Sequence, residues 1–119
     1  MESADAAVPR ITPEEAKVMI ERGNTLVVDV RETSEVVRSG KIAGAVHVPC
    51  GVIEFRADPE TPYYDNIFDK NKTIILYCSA GERSALSGEM LKEMGYNNVY
   101  NLGRFEDWVD SGGSVETLR

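Results

Sequence analysis

The chain has 119 residues, 42% of them hydrophobic, and a formal net charge of −7. That length fits one domain able to bury a core, and the acidic balance argues against non-specific nucleic-acid binding and against anionic membrane surfaces. No stretch is apolar for long enough to span a bilayer, residues 1–10 lack the basic and apolar regions of a secretory signal, and two cysteines with a single histidine make no metal-ligand pattern.

Residues 1–7 are small and polar and read as a loose terminus. Residues 8–11 suit a short strand. Thr12-Pro13-Glu14-Glu15 is a helix start, with Thr12 as N-cap, Pro13 at the first helical position and Glu15 closing a capping box. Ala16, Met19 and Ile20 supply the buried stripe, and Gly23 ends the helix. Thr25 to Asp29 is a continuous apolar run ending in an acid, as in a central parallel strand. Residues 32–39 suit a short helix stopped by Gly40. Residues 45–48 suit a short strand stopped by Pro49, and residues 51–56 another short helix. The only histidine, His47, falls in that strand, where a structural role is favoured over a general base. Residues 57–66, with two prolines, form the one substantial irregular segment. Tyr63 and Tyr64 in it are candidates for covering the core.

Residues 73–77 form a second apolar strand that delivers Cys78. A helix over 84–94 follows, with Ala85, Leu86, Met90, Leu91 and Met94 as its apolar set. Residues 98–102 give a further strand, and residues 105–109 a final helix anchored by Trp108. The tail over 115–119 carries no clear signal and reads as a second loose terminus, leaving one domain over 8–114. Strands alternating with helical segments imply an α/β domain with a mainly parallel sheet, whose ligands sit at the carboxyl ends of the strands.

The stretch Cys78-Ser79-Ala80-Gly81-Glu82-Arg83-Ser84 carries the chemistry. A cysteine at a strand end, then a small-residue loop, then a helix start, places backbone N–H groups around a sulfur. Such a setting favours thiolate over thiol. Gly81 permits a left-handed turn. A buried strand-end cysteine is common in any core, but glycine, arginine and serine within six positions suit an anion-binding loop.

Cys78-x-x-Gly81-x-Arg83-Ser84 resembles the active-site loop of single-domain rhodanese-like sulfurtransferases. Asp29-Val30-Arg31-Glu32 is similar to that family's strand-end motif. Residues 40–45, Gly-Lys-Ile-Ala-Gly-Ala, resemble its Gly-His-Ile-Pro-Gly-Ala element, with Lys41 and Ala43 as departures. Residues 101–108 resemble its closing Gly-Gly-x-x-x-Trp element, with Arg104 in place of the second glycine. The resemblance implies an α/β rhodanese-like fold, a small mainly parallel sheet with helices on both faces. It implies that Cys78 takes the outer sulfur of a donor such as thiosulfate and passes it, as a persulfide, to a thiol or cyanide acceptor. Residues Ser79, Ala80, Gly81, Glu82, Arg83 and Ser84 would form the substrate-binding loop.

Roles around the loop follow from residue type. Arg83 either faces the loop centre and pairs with an oxyanion or, the reading preferred, braces the loop from outside by pairing with Asp29 or Glu35. Ser84 suits the N-cap of the following helix, its hydroxyl within reach of the thiolate. Arg31 lies near the mouth or forms a surface ion pair. Glu82 opposes an incoming anion unless it points to solvent. Cys50, after Pro49, is a candidate second thiol able to form a disulfide with Cys78 if the two are close. No cofactor or metal is expected, and a reducing cytoplasm suits a working thiol. The rival readings, in order, are a phosphatase or arsenate-reductase-like enzyme, a non-catalytic rhodanese-like binding module, and a redox sensor built on Cys50. Oligomeric state is not legible in the sequence.

Overall fold

The structure, a computed structural model, describes residues 8–117. The loose terminus expected over 1–7, and residues 118–119 of the expected tail, lie outside the described residues. Among the described residues, eleven elements follow in chain order: α1 (Pro13–Arg22), β1 (Thr25–Asp29), α2 (Thr33–Ser39), β2 (Lys41–Ile42), β3 (Val46–His47), α3 (Ile53–Ala57), β4 (Thr73–Cys78), α4 (Glu82–Glu93), β5 (Val99–Arg104), α5 (Phe105–Asp110) and β6 (Val115–Glu116). Four strands form one parallel sheet in the order β3-β1-β4-β5, flanked by helices on both faces. This is the α/β rhodanese-like architecture expected from the sequence.

Alternation along the central strands builds two cores. Leu26, Val28 and Val30 with Ile74, Leu76 and Cys78 face one side, where Ile53 and Ala57 of α3 and Leu91 of α4 cover them. Val27, Ile75, Tyr77 and Leu102 face the other, under Ala16 of α1 and Phe105 and Trp108 of α5. Cys78 therefore lies on the α3/α4 side at the carboxyl end of β4. Its register partner on β5 is Arg104, after an irregularity between Leu76 and Tyr77.

Local signals place the helices. Thr12 caps α1 as expected: its Oγ accepts the Glu15 N–H at 3.1 Å, and Glu15 Oε1 accepts the Thr12 N–H at 2.8 Å. Two side chains assigned to buried stripes are exposed instead. Ile20 sits at the edge of the α1 stripe, and Leu86 is 55% exposed. On α4 the inward face is made of small residues, Ser84, Ala85 and Gly88, with Leu91. A Cβ on Gly88 would come within 2.9 Å of the Val8 methyls, so this helix packs close and turns Leu86 outward.

The segment over 8–11 runs beside β5 but makes only a single bridge, Arg10 to Asn101, rather than a strand. Residues 115–116, read as part of a loose tail, instead pair antiparallel with β2, and Lys41 Nζ meets Glu116 Oε1 at 2.6 Å. Tyr63 is 67% exposed against the edge of Phe55, whereas Tyr64 packs on the core.

One buried ion pair fixes the end of β1. Arg31 is 3% exposed, so it is neither at the mouth nor a surface pair. Its guanidinium donates Nε and Nη2 to the Asp29 carboxylate, Nη2 at 2.6 Å. It also reaches Ser39 Oγ and the Gly40 carbonyl, and lies 4.3 Å from the centre of the Phe105 ring. Removing one partner leaves the other charge buried and alone. Arg31→Ala should cost about 3–5 kcal/mol in urea unfolding, and Asp29→Asn combined with Arg31→Met should recover part of it. A loss below 1 kcal/mol for the single variant would show that the pair is not structural.

Candidate active site

Cys78 ends β4 with its sulfur buried. The chain turns through Ser79 and Ala80 to Gly81, which has φ +95° and is the N-cap of α4. Any other residue would be strained there. Helix α4 thus starts at Glu82, two residues before the expected start, and Ser84 is its third residue rather than its cap. A glycine cap has no side-chain acceptor for the free N–H groups of the first turn. The sulfur takes the N–H of the cap itself and is favoured as anion by that of Ser84 in the first turn. Cys78 Sγ accepts the Gly81 N–H at 3.0 Å and lies 3.4 Å from Ser84 Oγ.

Burial alone pushes the Cys78 thiol up. Hydrogen bonding from the Ser84 hydroxyl and from the backbone N–H groups of Ser84, Ala80 and Gly81 outweighs it, so the thiol lies below its ordinary value.

The loop is braced from outside. Arg83 turns away from the loop centre and holds Glu35 of α2 through two parallel bonds, Nη1–Oε2 at 2.7 Å and Nη2–Oε1 at 2.9 Å. Of the two brace partners considered, Glu35 is the one used. Asp29 points to the opposite face of the sheet and is taken by Arg31. Ser79 Oγ also donates to Glu35 Oε1, at 2.9 Å, and the Glu32 N–H to Oε2, at 2.8 Å. Arg83 foremost, then these donors, hold Glu35 at about 2 against the opposing effect of its partial burial.

Glu82 is exposed at the start of α4, on the loop that carries Cys78. His47 is tied by Nε2 to the Arg31 carbonyl at 2.8 Å. Cys50 is half-buried and shares an open depression with Arg83, Leu86, Ser87 and Met90. Its N–H bonds to the Val30 carbonyl, and the Val30 N–H to the Tyr77 carbonyl. The chain at Val30 thus lies between the two cysteines. Both thiols are free, and a disulfide between them would need Cα atoms within roughly 7 Å.

One residue of the site was not singled out from the sequence. Asn101 of β5 is fully buried. Its Oδ1 lies 2.7 Å from Ser84 Oγ, where it competes with the sulfur for that hydroxyl's single proton, and its Nδ2 donates to the Gly81 carbonyl at 3.2 Å. Both groups that reach the sulfur, the Gly81 peptide and the Ser84 hydroxyl, are therefore held by one amide. A polar residue inside the strand over 98–102 was the available signal.

A parallel α/β sheet with a thiol cupped by backbone N–H groups at a strand end defines a rhodanese-like domain. Comparison with known proteins agrees: the chain belongs to the rhodanese-like domain family, whose pattern matches residues 12–111. Thiosulfate sulfurtransferase GlpE of Actinobacillus succinogenes is 31% identical over 112 residues, covering 93% of each chain. Thiosulfate sulfurtransferase PspE of Escherichia coli is 35% identical over 80 residues, 67% of this chain and 70% of its own. A solved Rhodopseudomonas palustris protein, RPA3614, described as of unknown function and a possible tyrosine phosphatase, superposes with a TM-score of 0.89 at 32% identity, covering 97% of this chain and 89% of its own. Among the described residues, no helix is long and apolar enough to cross a membrane.

Two outcomes follow from this geometry. The pH midpoint for alkylation of Cys78 by iodoacetamide should lie below that of a free thiol, about 8.5, and should rise in Ser84→Ala; an unchanged midpoint would exclude the hydroxyl as a donor to the sulfur. The depressed carboxyl of Glu35 contributes stability that is present above its unfolded value, about 4.3, and is lost as pH falls through about 2. Because the pair is 32%/27% exposed, screening limits it to about 1 kcal/mol. Thermal melts of wild type and Glu35→Gln should therefore differ at pH 6 and converge toward pH 2. A gap that stays constant with pH would rule this contribution out.

Proposed function

We propose that the protein is a sulfurtransferase working through a persulfide on Cys78, with thiosulfate or a related sulfane-sulfur donor and a thiol or cyanide acceptor. The observation that carries this reading is the cup itself: a buried sulfur bonded by the Gly81 N–H and close to the Ser84 hydroxyl, in a six-residue loop whose arginine is turned outward. The thiolate attacks the outer sulfur of the donor. The bond between that sulfur and the sulfonate breaks, sulfite leaves with the electron pair, and the Cys78 persulfide remains. The acceptor then attacks the terminal sulfur and the Cys78 thiolate departs, giving thiocyanate when the acceptor is cyanide. The loop N–H groups stabilise the negative sulfur at each stage. No general base is required, which suits a site whose only histidine is committed to a backbone carbonyl.

The relatives named as thiosulfate sulfurtransferases support the same class of chemistry. The phosphatase activity suggested for the Rhodopseudomonas palustris protein raises phosphoryl transfer as the second reading. Against it, a tetrahedral phosphoryl group needs a wider ring of donors with the arginine facing inward, and here Arg83 is bound to Glu35.

Turnover should be measurable with thiosulfate and cyanide, lost in Cys78→Ser with the fold intact, and should exceed any hydrolysis of p-nitrophenyl phosphate. Phosphatase turnover above sulfur transfer, or substantial sulfur transfer by the serine variant, would overturn the reading. Glu82 at the mouth repels a dianion before chemistry begins, so Glu82→Gln should lower KM for thiosulfate more than it changes kcat. An unchanged KM would place Glu82 outside the donor's approach.

A further inference from the structure

Arg10 has no role in the chemistry above, yet it lies against the loop. Its guanidinium fills a notch between Gly81 and Gly103, both at positive φ. A Cβ on Gly103 would collide with the Arg10 head group, and a Cβ on Gly81 would come within 3.4 Å of Nη1 and 3.5 Å of the Gly103 Cα. Because the Gly81 N–H bonds directly to Cys78 Sγ, standard bond lengths keep Nη1 within about 10 Å of the sulfur. That is close to one screening length in dilute salt.

The other arginines around the loop have their charge engaged: Arg83 with Glu35, Arg31 with Asp29, and Arg104 with Glu106 at 3.0 Å. Arg10 makes no ion pair among the described residues. It also sits at the positive end of the twelve-residue α4, where a helix disfavours a cation and favours an anion. A guanidinium without a described carboxylate partner, beside that helix start and next to a glycine bonded to the sulfur, adds its field to that of the loop. Exposed Glu82 is the charge opposing it. In a chain of net charge −7, such a local field decides whether an anion reaches the thiol.

Resting on the sulfurtransferase reading, we infer that Arg10 is a specificity-determining residue that recruits anionic sulfur donors to Cys78 through long-range attraction. It favours the doubly charged thiosulfate over uncharged reagents without touching the reacting atoms.

The test compares iodoacetate, an anion, with iodoacetamide, its neutral counterpart, as alkylators of Cys78 in the full chain at low ionic strength, with the modified peptide identified by mass. Dividing one rate by the other cancels changes in thiolate fraction and access. The ratio should fall about two- to fivefold in Arg10→Met and be retained in Arg10→Lys. The KM for thiosulfate should rise in the Met variant with kcat largely kept. If that variant does not fold, the wild-type ratio carries the test and must fall as salt is raised. A ratio that does not respond to Arg10→Met, or to salt, overturns the inference and leaves sulfur transfer untouched. A ratio that responds in a protein that transfers no sulfur keeps Arg10 as an anion recruiter and overturns the proposed reaction instead.

Discussion

The sulfur of Cys78 stands where a helix would ordinarily have a capping side chain, and the local structure depends on that substitution. Most helices satisfy first-turn N–H groups with Ser, Thr, Asp or Asn. Here the cap is Gly81, with nothing to offer. The buried thiol takes the N–H of Gly81 and draws on that of Ser84, the third residue of the helix. A thiol in this position is drawn toward its anion because the anion is the better cap. The same cup can hold a persulfide's terminal sulfur, which carries the same charge one bond further out.

What keeps the cup in place lies outside it. On one side α2 contributes Glu35, which gathers Arg83, Ser79 and the N–H of its own helix's cap, Glu32. On the other, Asn101 of β5 holds the Gly81 carbonyl and the Ser84 hydroxyl. Below, the parallel pairing of β4 with β1 and β5 fixes the point at which Cys78 leaves the sheet. The Asp29–Arg31 pair anchors the neighbouring strand end from the opposite face and takes no part in the loop. Two acid–arginine pairs whose acids, Asp29 and Glu35, lie close together in the chain therefore do different work. One holds the sheet edge and the other holds the loop.

The order of the helices and of the four parallel strands, and the identity of the loop, are legible in the sequence because each rests on local chemistry: the Thr12–Glu15 box, the apolar runs ending at Asp29 and Cys78, and the glycines that follow most helices. Other features are not legible there. Serine is a good cap, so local chemistry favours a start of α4 at Ser84, and nothing nearby says that a cysteine sulfur will replace it. Hydrophobicity alone assigns Leu86 to the core. The close packing permitted by Ser84, Ala85 and Gly88 reverses its direction, and that depends on Val8, far away in the chain. The choice of Glu35 rather than Asp29 as partner of Arg83 depends on which face of the sheet each carboxylate occupies. That becomes determinable only once Arg31 is known to be buried. Asn101 is hidden for a related reason, since its two partners belong to the loop after a different strand.

The claim on which the rest depends is that this loop stabilises one extra negative sulfur on Cys78. Intact mass spectrometry of the protein after brief exposure to thiosulfate tests it directly. The mass should increase by one sulfur atom, the addition should map to Cys78 rather than Cys50, and cyanide should remove it. A protein whose mass does not change with thiosulfate or with any other sulfane-sulfur donor, or whose added sulfur maps to Cys50, would contradict it.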